Sequence, residues 1–191
     1  MMRQFFLILC TCASVHLVQG QTEQISHDSE PVSEDAEHEA KGEHVLTLGL
    51  GHTHIAQSKQ EGKTQYLVAP SWSLSYEYYL SHRWAVGLQT ELIMESFIIE
   101  NSDEDEIERN FPLAIIPIGV YKASEHIGFL IGIGEEFAEG ENLPLTRLGV
   151  FGVFKIPGEW EVGAELVWDS KWNHYNSWTL GFTVGKILGK R

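Results

Sequence analysis

A chain of 191 residues with 27 acidic and 13 basic side chains, and a formal net charge of −14 at pH 7, repels other polyanions, which excludes nucleic acid as a partner. Its only cysteines, Cys10 and Cys12, are too few for a disulfide scaffold or a thiolate metal site.

Met1 to Gly20 carries Arg3, an apolar run from Phe5 to Cys10, and Val18-Gln19-Gly20 at the end. This order is that of a secretory signal peptide cut after Gly20. Thr11, Ser14 and His16 stop the run well short of the ~20 apolar residues that a spanning helix needs. A lipid-modified Cys12 is disfavoured by the lead-in Leu9-Cys10-Thr11. Cleavage would remove both cysteines and Arg3, leaving 12 − 27 = −15 for the mature chain.

Residues 21–43 hold no aromatic side chain, eight acids and one base, Lys41. Such a segment cannot bury enough apolar surface to offset chain entropy and is expected to be a disordered acidic leader. His27 and His38 lie in it, and His44 follows at the edge of the fold. Imidazoles among carboxylates suit a loose divalent-metal site; an acidic solubilising tail is the competing reading, because the irregular spacing carries no ligand geometry.

From residue 44 onward the pattern predicts eight strands and no helix. Val45 to His54 sets Leu46, Leu48 and Leu50 against Thr47, Gly49, Gly51 and Thr53. Thr64 to Leu80 sets Trp72, Leu74, Tyr76 and Tyr78 against Ser71, Ser73, Ser75 and Glu77. A third strand, Trp84 to Ile98, repeats the alternation, with Val86 and Leu88 against Gln89, Glu91 and Glu95. The fourth, Phe111 to Lys122, is interrupted by Pro112 and Pro117, each of which removes a ladder donor and signals a bulge or an irregular edge. Ile127 to Phe137 is the fifth. In the sixth, Leu145 to Ile156, Phe151 and Val153 blur the phase. The final hairpin, Glu159 to Leu188, is the most regular. Trp160, Val162, Ala164, Leu166 and Trp168 oppose Glu161, Gly163, Glu165 and Asp169, and then Trp178, Leu180, Phe182 and Val184 oppose Thr179, Gly181, Thr183 and Gly185. An aliphatic band bounded by tryptophan, opposite a small or acidic face, suits a strand with lipid on one side and a polar lumen on the other.

The connections alternate in length. Short turns are expected at Ser81 to Arg83, Ala123 to His126 and Pro157-Gly158; long polar connections at Gln57 to Lys63, Glu100 to Asn110, Glu139 to Asn142 and Ser170 to Tyr175. That plan places the termini and tight turns at the periplasmic end of a bacterial outer-membrane barrel.

On these patterns, and above all on Trp-Thr-Leu-Gly-Phe-Thr-Val-Gly at 178–185 and Ile-Pro-Ile-Gly-Val-Tyr at 116–121, the chain resembles the small bacterial outer-membrane β-barrel proteins of the OmpX/OmpW-like kind. The resemblance implies an all-β, eight-stranded antiparallel up-and-down transmembrane β-barrel, a monomer, set in outer-membrane lipid and lipopolysaccharide and without a cofactor. The soluble alternative is a lipocalin-like barrel with its apolar face inward around a ligand.

Few residues carry chemistry. His52 and His54 share one face of a strand, ~7 Å apart by the strand rise, in phase with the apolar residues; as metal ligands they lack a third partner. His174, Ser177 and Asp169 are the residue types of a hydrolase triad, as in lipid A deacylase barrels, yet a separation of three sends His174 and Ser177 to opposite faces. The acidic connection from Glu100 to Glu108 could hold calcium through Asp103 and Asp105, but it lacks the turn glycine of a calcium loop; it could share divalent cations with neighbouring lipid phosphates. The phase places Glu77, Glu91, Glu95, Glu161 and Glu165 in the lumen, against Arg147 and Lys155. An eight-stranded barrel is just wide enough for side chains to fill it. The expectation is a non-enzymatic barrel with a structural, binding or small-solute role, or else a narrow cation-preferring uptake channel.

Overall fold

The computed structural model describes residues 41–60, 63–100 and 106–189. The expected signal peptide, most of the expected leader, and with them His27 and His38, lie outside the described residues, as do Asp103 and Asp105. Ten strands follow one another: β1 (His44–Gln60), β2 (Lys63–Tyr79), β3 (Trp84–Ile93), β4 (Phe97–Glu100), β5 (Glu106–Arg109), β6 (Leu113–Lys122), β7 (Ile127–Phe137), β8 (Leu143–Ile156), β9 (Trp160–Lys171) and β10 (Asn176–Leu188). Eight of them close a barrel in the order β1-β10-β9-β8-β7-β6-β3-β2, while β4 and β5 form a separate hairpin. All pairings are antiparallel.

The register measures the closure. From His54 the partners run through Trp178, Trp168, Leu148, Ile131, Gly119, Val86 and Tyr78 and return to β1 at His44. The stagger is therefore 54 − 44 = 10 residues for eight strands. With a rise of ~3.3 Å and strands ~4.8 Å apart, it corresponds to a tilt of about 40°, within the usual range for barrels. His54 then lies ~25 Å above His44 along the axis, the height of the apolar band of a membrane barrel.

The outer surface over that height is apolar. Leu46, Leu48 and Leu50 on β1, Phe129, Ile131 and Ile133 on β7, and Leu180, Phe182 and Val184 on β10 are all exposed. Tyrosine and tryptophan border the band: Tyr76, Tyr78, Trp84 and Trp160 near the termini, and Trp72, Trp168 and Trp178 near the opposite rim. The interior instead buries Ser71, Gln89, Glu91, Arg147, Glu165, Asp169 and Lys171. Apolar outside and charged inside is the inverse of a ligand-enclosing soluble barrel, so the lipocalin-like alternative is set aside.

Several boundaries differ from expectation. The third strand does not continue to Ile98: β3 stops at Ile93, and after Met94-Glu95-Ser96 the chain enters the β4–β5 hairpin. Pro112 explains part of this: its carbonyl accepts the Ile93 amide at 3.1 Å, but proline has no N–H to return, so the ladder stops there. Residues 57–60 and 63 are not a loop; β1 and β2 stay paired past the rim, with a bulge between Ala56 and Ser58. Pro117 leaves a gap in the β6–β7 ladder without shifting its register. In β8, Val153 is buried inside while Phe154 is exposed, so the strand keeps the alternation of its neighbours. Gly42 and Glu43 already belong to the barrel, since the Gly42 amide donates to Tyr79 O and the Tyr79 amide to Glu43 O.

The connections at the terminus end are short. Between β8 and β9 only residues 157–159 intervene, where Gly158 (φ 85) and Glu159 (φ 61) both take the left-handed region, a geometry glycine adopts without steric cost.

Candidate functional site in the barrel interior

Inward positions near the loop rim bring charges of alternating sign together. Arg147 on β8, fully buried, donates from Nε and Nη2 to the two oxygens of Asp169 on β9, each at 2.7 Å, and from Nη1 to Gln89 Oε1 on β3 at 3.1 Å. Its Nη2 also reaches Glu91. Glu91 accepts from Thr53 Oγ1 at 3.0 Å and Thr179 Oγ1 at 2.9 Å, so β1 and β10 are tied to the same cluster. Such bidentate guanidinium–carboxylate pairing is strong and geometrically specific, and the added hydroxyl donors satisfy lone pairs that would otherwise be costly in a dry interior.

The chain of charges continues upward. Lys171 Nζ donates to Ser177 Oγ at 2.6 Å and to Asp169 Oδ2 at 3.4 Å, and lies 3.6 Å from Glu136 Oε2. Glu136 is a hub for the loop end. It accepts from Arg109 Nε at 3.0 Å and Nη2 at 2.8 Å, and from the Tyr175 hydroxyl at 2.8 Å. Arg109 also donates to the Glu141 carbonyl at 2.5 Å. One carboxylate thus joins the base of the β4–β5 hairpin, the end of β7 and the β9–β10 connection. Burial, and then the charge of Glu136, holds the Tyr175 hydroxyl pKa well above its ordinary value. Beneath the hairpin, Phe97 and Ile99 pack with Ile55, Ala69, Ile93, Leu143 and Tyr175.

Glu91, Asp169 and Glu136 balance Arg147, Lys171 and Arg109, so the loop half of this ladder is neutral. The space between Thr53, Glu91, Glu136, Asp169, Lys171 and Ser177 leaves no position for a water molecule. Below it, Glu165 accepts from Ser73 Oγ and Gln89 Nε2, both at 3.2 Å. The terminus half is different. Glu77 accepts from the Tyr79 hydroxyl at 3.1 Å, Lys122 Nζ sits 4.2 Å over the Tyr79 ring, and the buried Glu161 Oε1 has no hydrogen-bond partner among the described residues.

The interior therefore contains Glu77, Glu91, Glu161, Glu165 and Arg147. Glu95 needs correction: it is exposed in the break after β3, because the chain leaves the barrel wall at Ile93 and the inward alternation ends with it. Lys155 is also exposed, near the terminus end. The strand pattern already placed Asp169 on the inner face, and extending the same parity reaches Lys171 on β9 and Glu136 on β7. Arg109 had no such signal, since it lies in a loop hairpin whose inward turn depends on tertiary contacts.

Of the histidines in the metal expectation, His27 and His38 lie outside the described residues, and the three described ones do not converge. His44, His52 and His54 face outward on one strand, and His44 is separated from His54 by the full apolar band. His44 Nδ1 meets the Tyr76 hydroxyl at 2.5 Å, while His54 stacks on Trp178 at 3.7 Å between centroids. Among the described residues no three His, Cys, Asp or Glu side chains converge as a metal site. Nor does a triad assemble: Ser177 is held by Lys171 inside, whereas His174 Nε2 lies 3.9 Å from Glu141.

A closed eight-stranded antiparallel barrel, apolar outside and ion-paired within, defines a small outer-membrane β-barrel, and no helix was found among the described residues. No protein-family model and no curated protein sequence matches the chain. Among solved structures it is similar to Neisserial surface protein A, with a TM-score of 0.52 and 10% identity over 78% of this chain and 100% of that one. It is also similar to Ail, the attachment invasion locus protein of Yersinia pestis, crystallised in complex with the heparin analogue sucrose octasulfate; there the TM-score is 0.49 and the identity 17%, over 76% of this chain and 99% of that one. The likeness is one of fold.

Proposed function

We propose that this protein is a non-conducting, non-enzymatic outer-membrane barrel with a structural or binding role exercised at its loop end. The carrying observation is the interior, in which Glu91, Arg147, Asp169, Lys171, Glu136 and Arg109 form a neutral ladder, and the space bounded by Glu91, Asp169, Lys171 and Glu136 leaves no position for a water molecule. Binding is supported by the described part of the loop end, where Glu136 ties Arg109 and Tyr175 together and Phe97 and Ile99 pack with Tyr175 and Leu143. A preorganised surface loses less entropy when it meets a partner. The termini and short turns face the periplasm, and the barrel is a monomer in outer-membrane lipid and lipopolysaccharide.

The test is conductance of the purified barrel in a planar bilayer under a salt gradient. Silence is expected. Any residual leak should be small and cation-selective, because in the terminus half the interior acids Glu77 and Glu161 outnumber the one interior base there, Lys122. A large, stable, anion-selective conductance would overturn both the closed lumen and its charge assignment.

A further inference from the structure

Strand β5 has an edge without a backbone partner. On one side it pairs with β4 in a two-stranded sheet, and among the described residues no backbone hydrogen bond leaves its other side. A row of unpaired amide and carbonyl groups is a template for a further strand, and exposed edges are commonly blunted by lysine, proline or a bulge. The sequence of β5, Glu106-Ile107-Glu108-Arg109, has no lysine or proline, and its pairing with β4 runs without a bulge. Its one base, Arg109, is fully buried.

A cleft of about 530 Å³ is lined by Ile107 and Glu108 of β5 and by Glu139, Gly140 and Glu141 of the β7–β8 connection. No β4 residue lines it, so it lies on the unpaired side of β5. Its walls are tied together: Arg109 Nη1 donates to the Glu141 carbonyl at 2.5 Å, and Asn110 Nδ2 to Glu139 Oε2 at 3.3 Å. Gly140 (φ 99) turns the chain between the two acids, a conformation glycine takes without steric cost. The spacing of the walls is thus set by contacts within the chain, which leaves less ordering to a ligand.

The charges of the cleft select its occupant. Glu108, Glu139 and Glu141 are exposed; among the described residues no lysine or arginine pairs with their carboxylates, and Glu141 has His174 at 3.9 Å. A second copy of β5 would bring acid against acid, and like charges across a strand pair are destabilising. The acidic residues 21–40 of this chain are repelled likewise. A metal ion finds no three converging ligands among the described residues.

We infer that the cleft takes an extended basic segment of another protein, added to β5 as a third strand. Main-chain hydrogen bonds to the edge supply affinity, and side chains at alternate positions supply selectivity. Ile107 and Glu108 point to opposite faces of the hairpin, as neighbours on a strand must, with Ile107 half-buried and Glu108 exposed. A segment that alternates arginine with an aliphatic residue matches both faces. Its guanidinium groups meet the carboxylates, a pairing with bidentate geometry, and its aliphatic side chains meet Ile107. The inference rests on the proposed binding role at the loop end and makes no use of the lumen.

Calorimetric titration of the barrel in phosphatidylcholine nanodiscs tests it, with empty nanodiscs as the blank. The probes are the capped peptide Arg-Val-Arg-Val-Arg, the same peptide with its backbone amides N-methylated, which keeps the charges but removes the donors, and Glu-Val-Glu-Val-Glu. The wild type should bind one Arg-Val-Arg-Val-Arg and no acidic peptide, and N-methylation should weaken binding about tenfold or more, because main-chain bonding carries strand addition. Glu108→Gln with Glu139→Gln should weaken binding about tenfold, the loss of two exposed pairs near the upper end of their usual worth. Glu95→Gln with Glu135→Gln removes as much charge from the loop end outside the cleft, and should change affinity by less than about threefold, since screening dulls distant charges. Heat-dependent gel migration verifies that each variant is folded. No binding to the wild type, or equal binding of the N-methylated peptide, would overturn the inference. Equal losses in the two double variants would overturn the cleft as the site while leaving a binding role at the loop end in place. A large conductance would overturn the closed lumen without touching the peptide result.

Discussion

Arg147→Met is the sharpest perturbation of the interior. It deletes a fully buried guanidinium that bridges Asp169, Glu91 and Gln89. Asp169 keeps Lys171 at 3.4 Å and Glu91 keeps the hydroxyls of Thr53 and Thr179, but the direct countercharge of Glu91 is gone. Removing one partner of a buried pair leaves an uncompensated charge, at a cost of about 3–5 kcal/mol. The residual contact to Lys171 argues for the lower half of that interval. Urea unfolding of the barrel in lipid vesicles, read by tryptophan fluorescence, should show a midpoint lowered accordingly with an unchanged slope. The companion variant Arg147→Met, Glu91→Gln, Asp169→Asn removes the stranded charges with their partner, and should recover most of the loss because a neutral replacement of a buried ion cluster is often near neutral. A single variant within about 1 kcal/mol of wild type, the range of an exposed pair, would refute the dry ladder. A triple variant no more stable than the single one would show that lost packing, not stranded charge, was the cause.

Tyr175→Phe removes a hydroxyl donor to Glu136, an interaction with a charged group worth about 1.5–3 kcal/mol; the β9–β10 connection should become measurably more sensitive to limited proteolysis, while the lower barrel stays protected. Two glycines separate crowding from freedom. In Gly163→Ala the new Cβ would lie 2.3 Å from the Gly152 carbonyl oxygen, whereas at Gly119 the nearest atoms are 4.0 Å away. Gly163→Ala should cost about 1–3 kcal/mol by overpacking, and Gly119→Ala should be neutral or slightly stabilising through the unfolded chain, both read as shifts of the urea midpoint.

Membrane strands announce themselves by period two, and here the phase of β1, β2, β9 and β10 is plain because each carries a run of aliphatic or aromatic residues at its outward steps across the apolar band. The same rule placed Glu77, Glu91, Glu161 and Glu165 inside. It misplaced Glu95, since alternation in Met94 to Ile98 persists after the chain has left the wall: a two-stranded hairpin also has two faces, and Phe97 and Ile99 face a satellite cluster over the mouth. The phase of β8 looked ambiguous because Phe151 and Val153 are apolar yet face inward. The inner wall is polar only in part; Ile116, Ile118, Val120 and Leu130 fill one side of it together with Val167 and Leu145. The hub on Glu136 was beyond periodicity, because Arg109 and Tyr175 reach it from connections whose path is set by packing.

The distribution of bases inside the barrel gives the molecule a direction. Arg109, Arg147 and Lys171 all belong to the loop half, where each meets a carboxylate within 4.0 Å. The terminus half has Lys122 over Tyr79, with Glu77 and Glu161 beyond that pairing distance and Glu161 Oε1 lacking a hydrogen-bond partner among the described residues. A neutral, dry plug transmits little field and excludes ions from its side. The proposed silent lumen and the placement of the β4–β5 hairpin share one cause, since Glu136 belongs both to the pairs that cross the barrel and to the pair that anchors the hairpin through Arg109.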